Sequence, residues 1–585
     1  MEPATIRLTP IHTSHPSGLH HLVAQQLDGD DPAAAGWRSE VLSDAAGRQL
    51  KLIASAIEAP ARIDDSQLGK IAADDFHCGP LWPATMQPVF EDASFTVHRE
   101  AASLERSSPA AGAGRGPAAL AAALERLLGS GGAAGARRAR FKLFGIDQGE
   151  KHFTTRAYAE VTQFNSDGAI QQNSVWTCSW MVPAADQPPR LREIEVTQCE
   201  EVRFRGGGET LFVDCTEALL SQNDCYRQQI LPGIEHWLRR ISKLQSMTRH
   251  GYHGLAIGDV NGDGLDDVYM LDAGGLPNRL FVQNDDGTAT DRGAEAGVDW
   301  LEYCTAALFV DLDNDSDQDL IVASRPMLLI ARNNGQGKFA VAMRLRLVGD
   351  PHGISAADYD QDGDLDIYIC GYSGDGGVKR LPTPIPFRDA ANGGRNVLLK
   401  NEGQFRFSNA TKAVGLDQDN TRFSFAAAWE DYDNDGDMDL YVANDFGRNC
   451  LYRNDAGRFT NVAAQAGVED IATGMSVSWG DFNRDGALDL YVGNMFSAAG
   501  NRVTYQRQFA HGKSDDFLTD IQRMTRGNTL FENSHDGTFV DVSEQADVTM
   551  GRWAWASRFA DLNNDGWQDL LVANGFVSTA DSGDL

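Results

Sequence analysis

Asp431, Asp433, Asp435 and Asp439 occupy positions 1, 3, 5 and 9 of a nine-residue stretch whose sixth residue is Gly436. Alternate carboxylates wrapped around a glycine turn converge on one point. Two carboxylates about 4 Å apart repel by roughly 4 kcal/mol at an effective dielectric of about 20, so that point must hold a cation. Oxygen-only ligands select a hard one, and Ca²⁺ fits best. The chain repeats the design with Asp259, Asn261, Asp263 and Asp267, and again with Asp311, Asp313, Asp315 and Asp319. Further copies use Asp358, Asp360, Asp362 and Asp366, then Asp481, Asn483, Asp485 and Asp489, then Asp561, Asn563, Asp565 and Asp569. Six copies describe an array of equivalent units holding up to about six Ca²⁺ ions, not one catalytic centre.

The nearest confusable motif, the EF-hand loop, needs a bidentate Glu at position 12 and a helix after it. Position 12 here is Met270, Val322, Ile369, Val442, Val492 or Val572, none with a side-chain oxygen. The last carboxylate lies at position 9, and a short apolar run such as Leu440-Tyr441-Val442 follows. These β-branched and aromatic residues predict a strand, so each unit reads strand–calcium loop–strand. Position 7 varies freely, so a ligand there must be the backbone carbonyl. Position 6 is Gly in five copies and Ser316 in the second, which predicts a strained or differently shaped second loop. Arg484, at a non-ligand position of the fifth loop, is expected to point to water.

The repeat extends past the loop. Asn278-Arg279-Leu280-Phe281, Asn396-Val397-Leu398-Leu399, Asn449-Cys450-Leu451-Tyr452 and Asn528-Thr529-Leu530-Phe531 recur at matching places, followed by Asn284, Asn401, Asn454 or Asn533. A Gly, usually a Phe, and an Ala/Gly/Val segment such as Ala466-Gly467-Val468 close the unit. Each unit therefore holds about four short strands. Loop-to-loop spacings of 52, 47, 73, 50 and 80 residues suit propeller blades, with insertions near 373–395 and 497–526.

On these strings, with Gly258-Asp259-Val260-Asn261-Gly262-Asp263-Gly264 among them, residues 254–575 resemble the FG-GAP/VCBS repeats of β-propeller proteins, related to the integrin α-subunit head. The wording is closest to the cartilage acidic protein branch, which often carries a C-terminal ASPIC/UnbV module. The resemblance implies a calcium-stabilised propeller used for cell adhesion or for recognition of a protein or glycan ligand, without enzyme activity. It also implies an extracytoplasmic or cell-surface setting. The ASPIC/UnbV module is missing, and the sixth loop is followed by only part of its unit. The expectation is a propeller that lacks its C-terminal end, or one closed by an upstream strand around Glu209-Thr210-Leu211-Phe212-Val213-Asp214.

The expected fold is thus an all-β propeller of about 6–7 four-stranded blades with calcium loops, preceded by an α+β N-terminal domain. Expected boundaries are 1–106 for a helical or mixed region and 107–140 for a low-complexity linker with a short helix near 119–128. Residues 141–249 form an α+β domain and 250–585 the propeller. Residues 36–60 read as a helix with Trp37, Val41, Leu50, Leu52 and Ile53 loosely periodic. Long alternating segments at 141–146, 153–164, 170–182 and 193–204 are similar in pattern to the NTF2-like cone, without a supporting motif. Residues 231–245 predict an amphipathic helix with Ile234, Trp237, Leu238 and Ile241 inward.

The 585 residues carry a formal net charge of −32, and the six loops contribute 25 of the carboxylates. Such a surface disfavours nucleic acid and anionic membranes. No run of 18 apolar residues predicts a membrane span, and Met1 onward shows no apolar signal-peptide core. Eight cysteines lack zinc spacing and read as buried free thiols. A G-x-S-x-G elbow, H-E-x-x-H and a P-loop are all missing. His20/His21 and His250/His253 lack companion ligands, and Gly206-Gly207-Gly208 precedes no helix. No catalytic or cofactor-binding residues are assigned. Two classes of function remain, a non-catalytic binding propeller and a lyase- or hydrolase-type enzyme sited in the propeller channel or the N-terminal pocket.

Overall fold

The computed structural model describes residues 36–59, 63, 65–100, 115–129, 136–166, 168–182, 187–206, 212–238, 240–241, 254–272, 274–347, 349–373 and 383–574. His20/His21, His250/His253 and most of the Gly/Ala/Ser/Pro stretches lie outside these residues, as does Glu209–Leu211 of the expected closing strand. The chain divides into two compact units, Met1–Leu211 and Phe212–Leu585.

In the first unit, helix Arg38–Glu58 buries Leu42, Ala46, Leu50, Ile53 and Ile57, a stripe at helical spacing. Val41 and Leu52, expected on that face, are 40% and 49% exposed. Helix Pro117–Leu128 starts on a proline and buries Leu120, Leu124, Leu127 and Leu128. Strands Arg137–Gln148, His152–Asn165, Gly168–Met181 and Arg190–Phe204 form an antiparallel meander. Its core face carries Trp176, Cys178 and Trp180, with Trp180 Nε1 donating to Thr155 Oγ1 at 2.8 Å.

The expected division into 1–106, 107–140 and 141–249 does not describe this unit. Strand Arg190–Phe204 pairs with Phe95–Glu100 near its end and, in parallel, with Ala72–Cys78 near its start. Residues well before the linker therefore complete the same sheet. Sequence periodicity missed this because partners some 100 residues apart leave no local signal.

The second unit begins at Phe212, not near 250. Segment 216–241 packs on the first sheet of that unit, where Leu219, Leu220, Cys225 and Ile230 meet Phe281 and Ala289. Gln229 Nε2 donates to Asp272 Oδ2 at 2.8 Å, and Trp237 Nε1 to the Gln229 carbonyl at 2.8 Å. The expected 231–245 helix is the shorter Gly233–Leu238, and residues 242–245 lie outside the described residues. All eight cysteines are free; seven are buried and Cys215 is exposed.

Among the described residues, five four-stranded antiparallel meanders and a sixth sheet of two strands follow in chain order. The first comprises Leu255–Gly258, Asp267–Met270, Arg279–Gln283 and Ala289–Asp291. The fourth, as a typical example, comprises Ser424–Glu430, Asp439–Asn444, Cys450–Asn454 and Phe459–Asn461. The sixth holds Ala554–Ala560 and Asp569–Asn574 among the described residues. First strands of successive sheets pack against one another in order. Among the described residues no strand pairing joins the sixth sheet to the first.

Second strands of sheets two to five are buried at every residue. Each fully buried large apolar side chain there stabilises the unit by roughly 1.5–3 kcal/mol. The Ala/Gly/Val segments are single helical turns, Gly293–Ala296, Thr411–Val414 and Ala463–Ala466, ended by left-handed Gly297, Gly415 and Gly467.

One contact stitches the series together. The last residue of the third strand in sheets two to five is Asn333, Asn401, Asn454 or Asn533. Its side-chain amide donates to the position-2 carbonyl of the preceding sheet's acidic loop, namely Val260, Leu312, Tyr359 or Tyr432, at 2.8–3.0 Å. The two insertions both join second to third strands and so lie at the sheet ends opposite the acidic loops. There they meet through an Arg388–Asp520 ion pair, with Arg388 also 5.5 Å from the Phe517 ring centre.

Candidate metal centres

Each acidic loop joins the first and second strands of its sheet, and its position-9 Asp is the first residue of the second strand. Strands, not helices, follow all six loops. The position-1 carboxylate is fixed by the turn. Its Oδ2 accepts the position-6 N–H at 2.8–3.0 Å in every copy, from Gly264, Ser316, Gly363, Gly436, Gly486 and Gly566. Ser316 holds φ +73° beside +94° for Gly436, so the second loop keeps the common shape with a serine in glycine's conformation. The expected strain is there, and the expected difference of shape is not.

Position 9 is the buried floor. Asp267, Asp319, Asp366, Asp439 and Asp489 are fully buried, while Asp569 is half-buried. In the fourth loop Asp439 accepts the Tyr432 N–H at 3.3 Å and the Asn454 N–H at 2.7 Å. Burial still dominates and pushes the Asp439 carboxyl up to about 8, Asp366 to about 7, and Asp319 and Asp489 to about 6.

Position 3 divides the loops into two chemical types. In the first, fifth and sixth, Asn261, Asn483 and Asn563 donate Nδ2 to the position-5 carboxylate at 2.9 Å. In the second, third and fourth, Asp313, Asp360 and Asp433 each keep a buried Oδ1 with no hydrogen-bond partner. These loops gather three carboxylates, each offering an oxygen within 4.8 Å of the others. The groups are Asp311/Asp313/Asp315, Asp358/Asp360/Asp366 and Asp431/Asp433/Asp439. A buried, unpartnered anionic oxygen is costly, and an oxygen-ligated hard cation is the chemical partner that this donor set fits.

Side-chain cations reach two of the three. Arg332 Nη2 lies 3.0 Å from Asp313 and 2.9 Å from Asp315. Lys400 Nζ pairs with Asp360, and with Asp362 at 2.8 Å. At the equivalent place in the fourth sheet, Arg453 turns to Asp455 at 3.1 Å and leaves the loop to its carboxylates.

Position 4 links neighbouring loops, a role sequence reading missed. Asn314 Nδ2 donates to Asp364 Oδ1 at 2.8 Å, and Gln361 Nε2 to Asp437 Oδ1 at 2.9 Å. Arg484 does not point to water alone but stacks 4.8 Å from the Trp567 ring centre of the sixth loop. The loops look independent in sequence and are neighbours in space.

Beside the fourth loop opens a cavity of about 660 Å³, lined by Asp433, Asp435, Arg453, Gln465, His535 and Thr538 among others. Elsewhere, Ser373 Oγ lies 3.3 Å and His352 Nε2 3.5 Å from the same Asp350 oxygen. Burial holds the His352 imidazole down to about 3.

The FG-GAP-like repeat profile matches residues 259–322, 311–369, 431–492 and 511–572, each of which includes at least one acidic loop. The search of curated proteins found no match. Similar solved structures include an Agrocybe aegerita lectin that specifically recognises non-reducing terminal N-acetylglucosamine, with 17% identity over 55% of this chain and 74% of that one and a TM-score of 0.31. Another is the Photorhabdus luminescens Tc holotoxin pore, with 11% identity over 61% of this chain and 16% of that one and a TM-score of 0.23.

Proposed function

We propose that this chain, which belongs to the FG-GAP repeat family, is a calcium-binding β-propeller module that recognises a protein or glycan ligand and performs no catalysis. The observation that carries the reading is the buried, unpartnered Oδ1 of Asp313, Asp360 and Asp433 within converging carboxylates. In each loop the side chains at positions 1, 3, 5 and 9 hold the ion. These are Asp259, Asn261, Asp263 and Asp267 in the first loop and Asp561, Asn563, Asp565 and Asp569 in the last. Bound Ca²⁺ acts as a structural staple, cancelling the mutual repulsion of the carboxylates. Its setting is extracytoplasmic, where calcium is abundant enough to fill loops of moderate affinity.

The ligand contacts lie on loops between sheets. The cavity beside the fourth loop supplies a guanidinium, an imidazole, an amide and carboxylates in one space, a mixture suited to hydroxyl-rich or peptide groups. Calorimetric titration of the metal-stripped chain with Ca²⁺, paired with thermal unfolding in Ca²⁺ and in excess chelator, tests the reading. Several ions bound per chain and a clear loss of melting temperature on chelation are expected. An indifferent chain would mean that the loops are polar turns.

A further inference from the structure

Position 4 is left-handed in every acidic loop. Gly262 holds φ +73°, Asn314 +59°, Gln361 +58°, Asn434 +58°, Arg484 +60° and Asn564 +57°. This residue lies between ligand positions 3 and 5. The position-5 N–H that follows it donates to the position-1 carboxylate, from Asp315 at 3.2 Å in the second loop and from Asp362 at 3.1 Å in the third. A cation that draws those carboxylates together therefore fixes position 4 as well.

In two loops the fixed side chain reaches the next loop. Asn314 Nδ2 donates to the Gly363 carbonyl at 3.2 Å and to Asp364 Oδ1 at 2.8 Å. Gln361 Nε2 donates to the Gly436 carbonyl at 2.8 Å and to Asp437 Oδ1 at 2.9 Å. Each amide thus grips positions 6 and 7 of its neighbour. The peptide it holds by the carbonyl has its N–H on a candidate ligand. Asp364 N–H donates to Asp362 Oδ1 at 3.0 Å, and Asp437 N–H to Asp435 Oδ1 at 2.9 Å. One peptide unit therefore connects position 4 of a loop to the position-5 carboxylate of the next, and hydrogen bonds in such a chain strengthen one another. The series has ends. Gly262 offers the second loop no side chain. Asn434 and Ala487 line one cavity, but Ala487 brings no carboxylate to position 7 of the fifth loop. Arg484 meets the sixth loop by stacking on Trp567, not by gripping a peptide.

We propose that Asn314 and Gln361 are positioning residues for the metal sites of the third and fourth loops, so that loops two, three and four fill with Ca²⁺ as one cooperative block while loops one, five and six fill independently. This coupling rests on the calcium reading above. An ion in the second loop orders Asn314, and the third loop then has less ordering left to do before it binds. The step repeats through Gln361, and linkage makes it reciprocal. Charge alone works the other way, since each dication weakens the field that draws the next. At physiological salt that repulsion is screened beyond about 8 Å, whereas hydrogen bonds between touching loops are not. The block coincides with the three loops that carry Asp at position 3, Asp313, Asp360 and Asp433, and five carboxylates each.

The test is calorimetric titration of the metal-stripped full chain with Ca²⁺ at about 0.15 M salt. Glycine keeps the left-handed turn and removes the amide, so the variants are Asn314→Gly and Gln361→Gly, with Asn564→Gly in the last loop as control. The unaltered chain should show one steep phase of three ions, with a Hill coefficient above one, beside shallower binding. In the Asn314→Gly/Gln361→Gly double variant that phase should flatten and its half-saturation rise about fivefold, with the total of bound ions unchanged. Full stoichiometry at saturating Ca²⁺ shows that the variants fold. Asn564→Gly should leave the steep phase as it is. By reciprocity, emptying the fourth loop with Asp433→Ala should weaken the rest of the block several-fold, and Gln361→Gly should erase that effect. Ions bound with undiminished steepness in the double variant overturn the coupling alone, as does equal flattening by Asn564→Gly. A chain that binds no ion overturns the calcium reading and the coupling with it.

Discussion

Asn454 Nδ2 lies 2.8 Å from the carbonyl of Tyr359, and through that bond the fourth sheet holds the loop of the third. The same amide donates to Met438 O at 3.1 Å inside its own sheet, and Asn454 is fully buried. Asn454→Ala leaves two carbonyls without their donor. The expected cost is on the order of 2 kcal/mol, read as a lower urea midpoint with an unchanged slope. Asn454→Asp should cost more, since its carboxylate would sit near buried Asp439 without a proton to donate.

Removing one loop's central ligand should remove one ion. Asp433→Ala takes away the buried Oδ1 of the fourth loop. Calorimetric stoichiometry is expected to fall by one ion per chain, and the calcium-dependent part of the melting temperature to shrink. Unchanged stoichiometry would show that Asp433 is no ligand.

The third loop carries its own cation, Lys400 on Asp360 and Asp362. Replacing Lys400 by Met should make the metal-free chain less stable and the calcium-loaded chain bind more tightly, several-fold in Kd for one site. The direction follows from relieving competition between an ammonium and a dication for the same oxygens. Weaker calcium binding in the variant would place the lysine outside that competition.

Acid should act in opposite senses with and without metal. The Asp439 carboxyl, at about 8 when folded and metal-free, lies far above its unfolded value, as do Asp366 at about 7 and Asp319 and Asp489 at about 6. A carboxyl raised by folding contributes stability that is full below its unfolded value and is lost as pH rises through the folded one. In chelator, melting temperature should therefore rise as pH is lowered from about 8 to about 5. In Ca²⁺ the same acidification protonates the ligands, releases the ion and lowers it. Parallel curves in the two buffers would refute the assignment.

Ser316 occupies a left-handed conformation at φ +73° that five sibling loops give to glycine. Ser316→Gly should stabilise the chain by about 1 kcal/mol, visible as a small rise in melting temperature in calcium. A fall would show that the serine side chain does something the turn does not.

What the sequence made legible was local. The ligand spacing, the strand after each loop and the absence of an EF-hand helix all lie within twelve residues of each Asp259-type start. The recurrent Asn401, Asn454 and Asn533 were visible as a repeat, but their role was not, because each acts on a carbonyl in another unit. In the first sheet the structural equivalent is Gln283, whose N–H bonds to Asp267 Oδ1 at 2.8 Å, and not the neighbouring Asn284. Asn333 in the second sheet escaped notice because the strand around it, Met327–Asn333, lacks the Asn that opens the others. Arg484 and Trp567, 83 residues apart by number, meet only once the sheets are in series. The first unit was least legible, since its sheet joins strands across low-complexity stretches.

The asparagine contacts all point one way along the chain. Each of the first four acidic loops is completed by an amide that follows its carbonyl by 73, 89, 95 or 101 residues. On the ribosome, where the chain grows at about 5–20 residues per second, a loop emerges several seconds before the side chain that locks it. Assembly is therefore vectorial, with every newly made unit acting as the latch of the one before and the most recent loop always left ajar.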